Sequence, residues 1–205
     1  MRIGFLLRWL RMMSSFALAS CLALMVMTST ALAQTQASVS SGIIARYLLA
    51  GPSGQAVSHD DFRGRFQLIT FGYTFCPDVC PTTLAEMTQV LNSLSEADAK
   101  KLSLIFITVD PERDTPSVLK TYTSFFDARI VGLSGSIELI NRAAKNFKVR
   151  YAKVSPAGSN PEHYSADHSA GMFLLGPDGQ FIKKFAYGKP INELKTEVLQ
   201  IIQAR

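Results

Sequence analysis

The sequence predicts an α/β domain with a central mixed β-sheet flanked by helices and a β-hairpin at its N-terminal side. Three observations carry this. Short apolar runs suited to buried strands, "FQLITF" and "LSLIFITVD", alternate with stretches of helical periodicity. A turn-forming "GPSG" splits the early stretch "ARYLLAGPSGQAVS" into two strands. A second hairpin, "GMFLLGPDGQFIKKF", precedes one last amphipathic segment.

The chain begins with Arg2, Arg8 and Arg11, an apolar stretch over about 12–27, and small residues ending Ala31-Leu32-Ala33. This is the layout of a secretory signal peptide cut before Gln34. The apolar stretch falls just short of the roughly 20 residues of a membrane span, so a retained membrane anchor over 1–33 is the alternative. "LASC", ending at Cys21, has the form of a bacterial lipoprotein box, although apolar residues continue beyond it. Every version puts the folded part outside a membrane: periplasmic in a bacterium, either soluble or tethered. Residues 34–42 read as a flexible linker and 43–205 as the domain.

Within 43–205 the hairpin turns at Gly51-Pro52-Ser53-Gly54, and "FQLITF" follows as a strand. A helix over 81–94 is marked by Leu84, Met87, Val90, Leu91 and Leu94. "LSLIFITVD" is apolar enough to be covered on both faces. Thr115 is placed to cap a helix with Pro116 at its first position. A helix over 137–147, a strand over 149–154 and a polar loop over 155–166 come next. The late hairpin and a helix over 191–203 finish the domain. This order of elements is that of a thioredoxin-like sandwich.

Beyond residue 33 the remaining 172 residues hold 18 Lys+Arg and 16 Asp+Glu, so the formal charge of +5 lies mostly in the leader. No basic excess points to nucleic acid. Of three cysteines only Cys76 and Cys80 lie in the domain, which excludes a multi-disulfide scaffold. An isolated pair outside the cytoplasm is a structural disulfide, a redox couple or a metal site.

The pair sits in "GYTFCPDVCPTT", between a central strand and a helix, where open α/β sheets place their sites. Pro77 and Pro81 disfavour helical geometry in the cysteines before them, so the helix is expected to begin at Pro81 with Cys80 near its N-cap. There the helix dipole would favour a thiolate. The two sulfurs are close enough to share a disulfide or one metal ion, and spacing does not choose between these.

Three histidines are available as a further ligand. His59 reads as a capping or exposed residue, and His163 falls in the polar loop. His168 follows Asp167 and leads straight into the buried "GMFLL" strand, so it is the candidate ligand. Two soft thiolates with an imidazole suit Cu(I), whereas structural zinc wants a fourth protein ligand.

Together "FGYTFCPDVCPTTL", "VDPERDTP" and "DHSAGMFLLGPDG" resemble the SCO/SenC family of copper chaperones. The resemblance implies copper bound as Cu(I) or Cu(II) by Cys76, Cys80 and His168, with Asp167 as the acidic neighbour of the histidine. It also implies delivery of copper to the binuclear copper A site of cytochrome c oxidase subunit II. The alternative is that Cys76 and Cys80 act as a redox-active pair, an extracytoplasmic thiol-disulfide oxidoreductase that reduces the copper A cysteines or senses redox state. Other periplasmic copper chaperones or thioredoxin-like reductases are further expected partners. "DPERDTP" reads equally as a contact to the site and as a loop that only caps a helix. A thioredoxin-type enzyme would show C-x-x-C and a proline where Ala170-Gly171 stand, and a peroxiredoxin would show P-x-x-x-T-x-x-C. Neither pattern is present.

Overall fold

The computed structural model describes residues 42–154 and 165–205, so the expected signal segment, most of the linker and His163 lie outside the described residues. Residues 43–205 form one compact unit. Its strands are β1 (Leu48–Ala50), β2 (Ala56–Ser58), β3 (Phe66–Gly72), β4 (Leu102–Thr108), β5 (Ile130–Leu133), β6 (Tyr151–Val154), β7 (Ser165–His168), β8 (Met172–Leu175) and β9 (Phe181–Phe185). The helices are α1 (Val79–Asn92), α2 (Glu96–Ala99), α3 (Pro116–Ser124), α4 (Ile137–Phe147) and α5 (Ile191–Gln203), with a 3-10 turn at His59–Phe62. Among the described residues no helix is long and apolar enough to cross a membrane.

The central sheet has the order β5-β4-β3-β8-β9. β3 pairs parallel with β4 and antiparallel with β8, so the sheet is mixed, and β1 with β2 forms the N-terminal hairpin. Every residue of β3 and β4 is buried, which is why both read as mainly apolar runs with no regular polar alternation. Successive residues of a strand face opposite sides. Phe71 stacks with Phe147 of α4 and Phe173 of β8, at ring separations of 5.4 and 6.0 Å. Gly72, one residue on, faces Cys80 of α1 instead. The fold is the α/β sandwich expected from the element order.

Several boundaries differ from the sequence reading. β5, "IVGL", is only four residues long and is interrupted by Gly132, too brief to stand out as a strand, yet it completes the sheet edge beside β4. α1 begins at Val79 rather than Pro81 and ends at Asn92. A proline in the first turn of a helix removes an N–H that has no intrahelical partner, so Pro81 does not oppose the earlier start. The loop expected over 155–166 ends sooner, because residues 165–168 pair with β6 as β7, with Tyr151 opposite His168. Alternation in "SADH" is too brief to reveal a strand that exists only through its partner.

Candidate metal centre

The loop from β3 to α1 is built outward from Gly72. A Cβ at this position would stand 2.6 Å from Cys80 Sγ and 2.8 Å from the Phe106 ring, so only glycine lets the thiol pack against the strand. Tyr73 to Cys76 then closes a turn, with the Cys76 N–H donating to the Tyr73 carbonyl at 3.3 Å. Asp78 takes the N-cap position of α1 without a capping bond from its side chain. The Cys80 N–H, in the first helical turn, donates to Cys76 Sγ at 3.4 Å. Cys76 thus supplies the acceptor that a cap side chain normally supplies, and the same contact brings the two cysteines together.

The cysteines are unequal. Both are thiols, Cys76 half-buried and Cys80 only 2% exposed. Burial pushes the Cys80 thiol well up from its ordinary range; the Tyr73 backbone hydrogen bond opposes the shift, and neighbouring Cys76 and Asp114 add to it. The expected lowering by the helix dipole is therefore overturned: at this depth desolvation outweighs a dipole effect of roughly 0.3–1 kcal/mol.

The backbone of β7 reaches the same end of the sheet. Met172 at the start of β8 pairs with Thr70, whose hydroxyl donates to the Gly171 carbonyl at 3.0 Å. Gly171 has φ +118, and a Cβ there would meet the Phe185 carbonyl oxygen at 2.4 Å, so the bend between β7 and β8 requires glycine. Tyr73, three residues before Cys76, hydrogen-bonds the backbone of Ala166, two residues before His168. Lys153 on β6 pairs with Glu112 at 2.6 Å, tying the β6–β7 hairpin to the loop after β4. The topology thus brings the backbone of Asp167 and His168 to the edge that carries the cysteines.

His59 does not join them. Gly64 donates to the Pro177 carbonyl at the other end of β3, and His59 lies in the 3-10 turn there. It is neither a cap nor freely exposed: Ser58 caps the turn, and the His59 ring stands edge-on to Tyr47 at 6.0 Å with 15% of its side chain exposed. Seven residues of strand, about 23 Å, separate this end from the cysteine loop.

Reasoning from the sequence missed the Phe75 face of the site. Phe75, 63% exposed beside Cys76, joins Val118, Tyr122 and Phe125 around a groove of about 490 Å³. Phe75 lies more than forty positions from the other three, so no local pattern displays the groove.

Residues 35–203 match the SCO1/SenC family. The chain belongs to the SCO1/SenC family. Its domain is 39% identical over 137 residues to the SCO2-like protein of Rickettsia felis, covering 67% of this chain and 66% of that protein. It is 38% identical to Bradyrhizobium japonicum ScoI with copper bound, with a TM-score of 0.68 over 77% of this chain and 98% of that one. Yeast Sco1 with copper bound shares 30% identity at a TM-score of 0.72, covering 80% of this chain and 90% of that one. The alignments span 63%, 66% and 53% of the first three curated relatives' own length. These SCO structures share the thioredoxin-like fold seen here.

Proposed function

We propose that this protein binds one copper ion through Cys76, Cys80 and His168 and passes it to the copper A site of cytochrome c oxidase subunit II, outside the membrane its leader addresses. The observation that carries this reading is the meeting of Cys76 and Cys80 in one turn, through the Cys80 N–H on Cys76 Sγ, beside the hydrogen bond of Tyr73 to the backbone of Ala166, two residues before His168. Copper-bound relatives with this fold support it. Two thiolates and an imidazole form a soft site of low coordination, suited to Cu(I). The exposed Phe75, next to Cys76, and Phe125, in the same groove, fit contact with a protein acceptor, since large apolar side chains left in solvent mark interaction surfaces.

A second reading, thiol-disulfide exchange, is favoured by the asymmetry of the pair. An accessible Cys76 over a buried Cys80 is the arrangement of an attacking and a resolving thiol. Forming the disulfide removes two electrons and two protons, and the disulfide then has no thiolate with which to hold copper. Redox state therefore gates binding: a thioredoxin-like reductase would supply the two electrons and two protons that restore the dithiol, and another copper chaperone could then load it.

Copper stoichiometry on reduced and oxidised protein tests the site. One equivalent on the dithiol and none on the disulfide is expected, and equal retention by both would remove Cys76 and Cys80 as ligands. In cells lacking the protein, rescue of oxidase activity by added copper supports delivery, whereas rescue by a thiol reductant alone supports exchange.

A further inference from the structure

The motif "DPERD" has no place in the copper chemistry, yet it grips the loop that bears the first cysteine. Asp114 is wholly buried. Its Oδ2 accepts the Thr74 N–H at 3.0 Å and the Thr108 hydroxyl at 2.7 Å, and its Oδ1 accepts the Thr74 hydroxyl at 2.5 Å. Thr108 ends β4, and Thr74 is the second residue of the turn that closes at Cys76. One carboxyl therefore fastens the cysteine turn to the neighbouring strand.

The residues beside Asp114 hold the same segment from another side. The Asp114 N–H donates to the Asp110 carbonyl at 2.9 Å, and Ser134 donates to the Asp114 carbonyl at 2.6 Å. Arg113, ion-paired with Asp110, lays its guanidinium over Phe75 at 4.6 Å and Tyr73 at 5.8 Å. Tyr73, Thr74 and Phe75, the three residues before Cys76, are thus each held by this one loop.

We propose that Asp114 is a positioning residue for the cysteine pair: by pinning Thr74 to the end of β4 it presets the turn that holds Cys76 Sγ against the Cys80 N–H. The role rests on the reading of Cys76 and Cys80 as the working pair. A preset turn spares the ordering cost that metal binding or disulfide closure would otherwise meet. Purely structural anchoring would stabilise the free and loaded forms equally and leave both equilibria unchanged.

The test compares Thr74→Val, which keeps the shape and removes the hydroxyl donor, with Thr74→Ser, which restores it. Tyr47→Phe serves as a control, because it removes a buried hydrogen bond to Gln67 near the opposite end of β3. Cu(I) affinity is read by competition with a chromophoric chelator, the dithiol–disulfide equilibrium against glutathione, and Tm by thermal melting. Thr74→Val is expected to weaken Cu(I) binding about tenfold, the scale of one charge-assisted hydrogen bond. It also shifts the glutathione equilibrium several-fold toward the dithiol, while Thr74→Ser stays within about twofold of wild type on both. Tyr47→Phe lowers Tm and moves neither. Equal losses of Tm in Thr74→Val and Tyr47→Phe, with both equilibria unchanged in each, would overturn the proposal. Should the wild type take up no cysteine-dependent copper, the copper reading falls, and the glutathione equilibrium alone still decides the role of Asp114.

Discussion

The two ends of β3 are both rich in polar and aromatic groups, but they use them differently. At the entry end, Ser58 and Asp61 form a capping box, Arg63 pairs with Asp60 three residues away at 2.7 Å, and these charges are largely in solvent. At the exit end, Asp110 and Asp114 are buried, and Thr74 reaches a partner forty residues away. The first set shapes a turn from local sequence. The second fastens the turn after β3, which carries Cys76, to the end of β4. Exposed polar pairs contribute little and tolerate change, whereas buried ones constrain geometry, because removing one partner leaves the other desolvated and unsatisfied.

Histidine exchange breaks the comparison most strongly. His168→Ala is expected to weaken copper by roughly 100-fold or more, beyond the 10–100-fold typical of residues that only support a ligand. His59→Ala, at the other end, leaves affinity unchanged. Competition titrations on both variants check this, and equal losses would remove His168 from the site.

Glycine exchange sharpens it. Gly72→Ala forces a methyl against Cys80 Sγ and the Phe106 ring, with an expected cost of about 1–3 kcal/mol from overpacking and a change in thiol reactivity. Gly54 also lies in a loop, with φ +80, but has open space around it. Gly54→Ala should therefore cost only the backbone strain, about 1 kcal/mol, and leave the thiols unaffected. Denaturant melts with thiol-labelling rates distinguish the two.

A pH scan probes the buried thiol. The folded-state Cys80 thiol is raised above its ordinary value of 9.0, so its stabilising contribution is complete below that value. As pH rises past it, the unfolded chain ionises first and stability is lost. Melting temperatures of the reduced protein should fall from pH 8 to pH 10 more steeply than those of Cys80→Ser. Parallel curves would show that Cys80 does not titrate as its burial demands.

The smallest effect belongs to the entry end. Ser58→Ala removes a cap and should cost about 1 kcal/mol, with copper affinity unchanged. A change in affinity there would mean that the two ends communicate.

By itself the sequence determined the α/β architecture, the strands β3 and β4, the Thr115–Pro116 helix start and the candidate residues Cys76, Cys80 and His168. Each of these is written in a local pattern: a buried apolar run, a cap beside a proline, two cysteines at a strand-to-helix turn. Only the tertiary structure decided where α1 begins, that Cys80 is buried deeply enough for desolvation to override the helix dipole, and that residues 165–168 pair with β6. It also decided that Asp114 closes on Thr74 and that Gly72 yields its side-chain space to a sulfur. Those outcomes depend on groups from different elements meeting in a packed interior, eight residues apart for Gly72 and Cys80 and forty for Thr74 and Asp114, where hydrogen bonds and packing between elements outweigh the preference of any single residue.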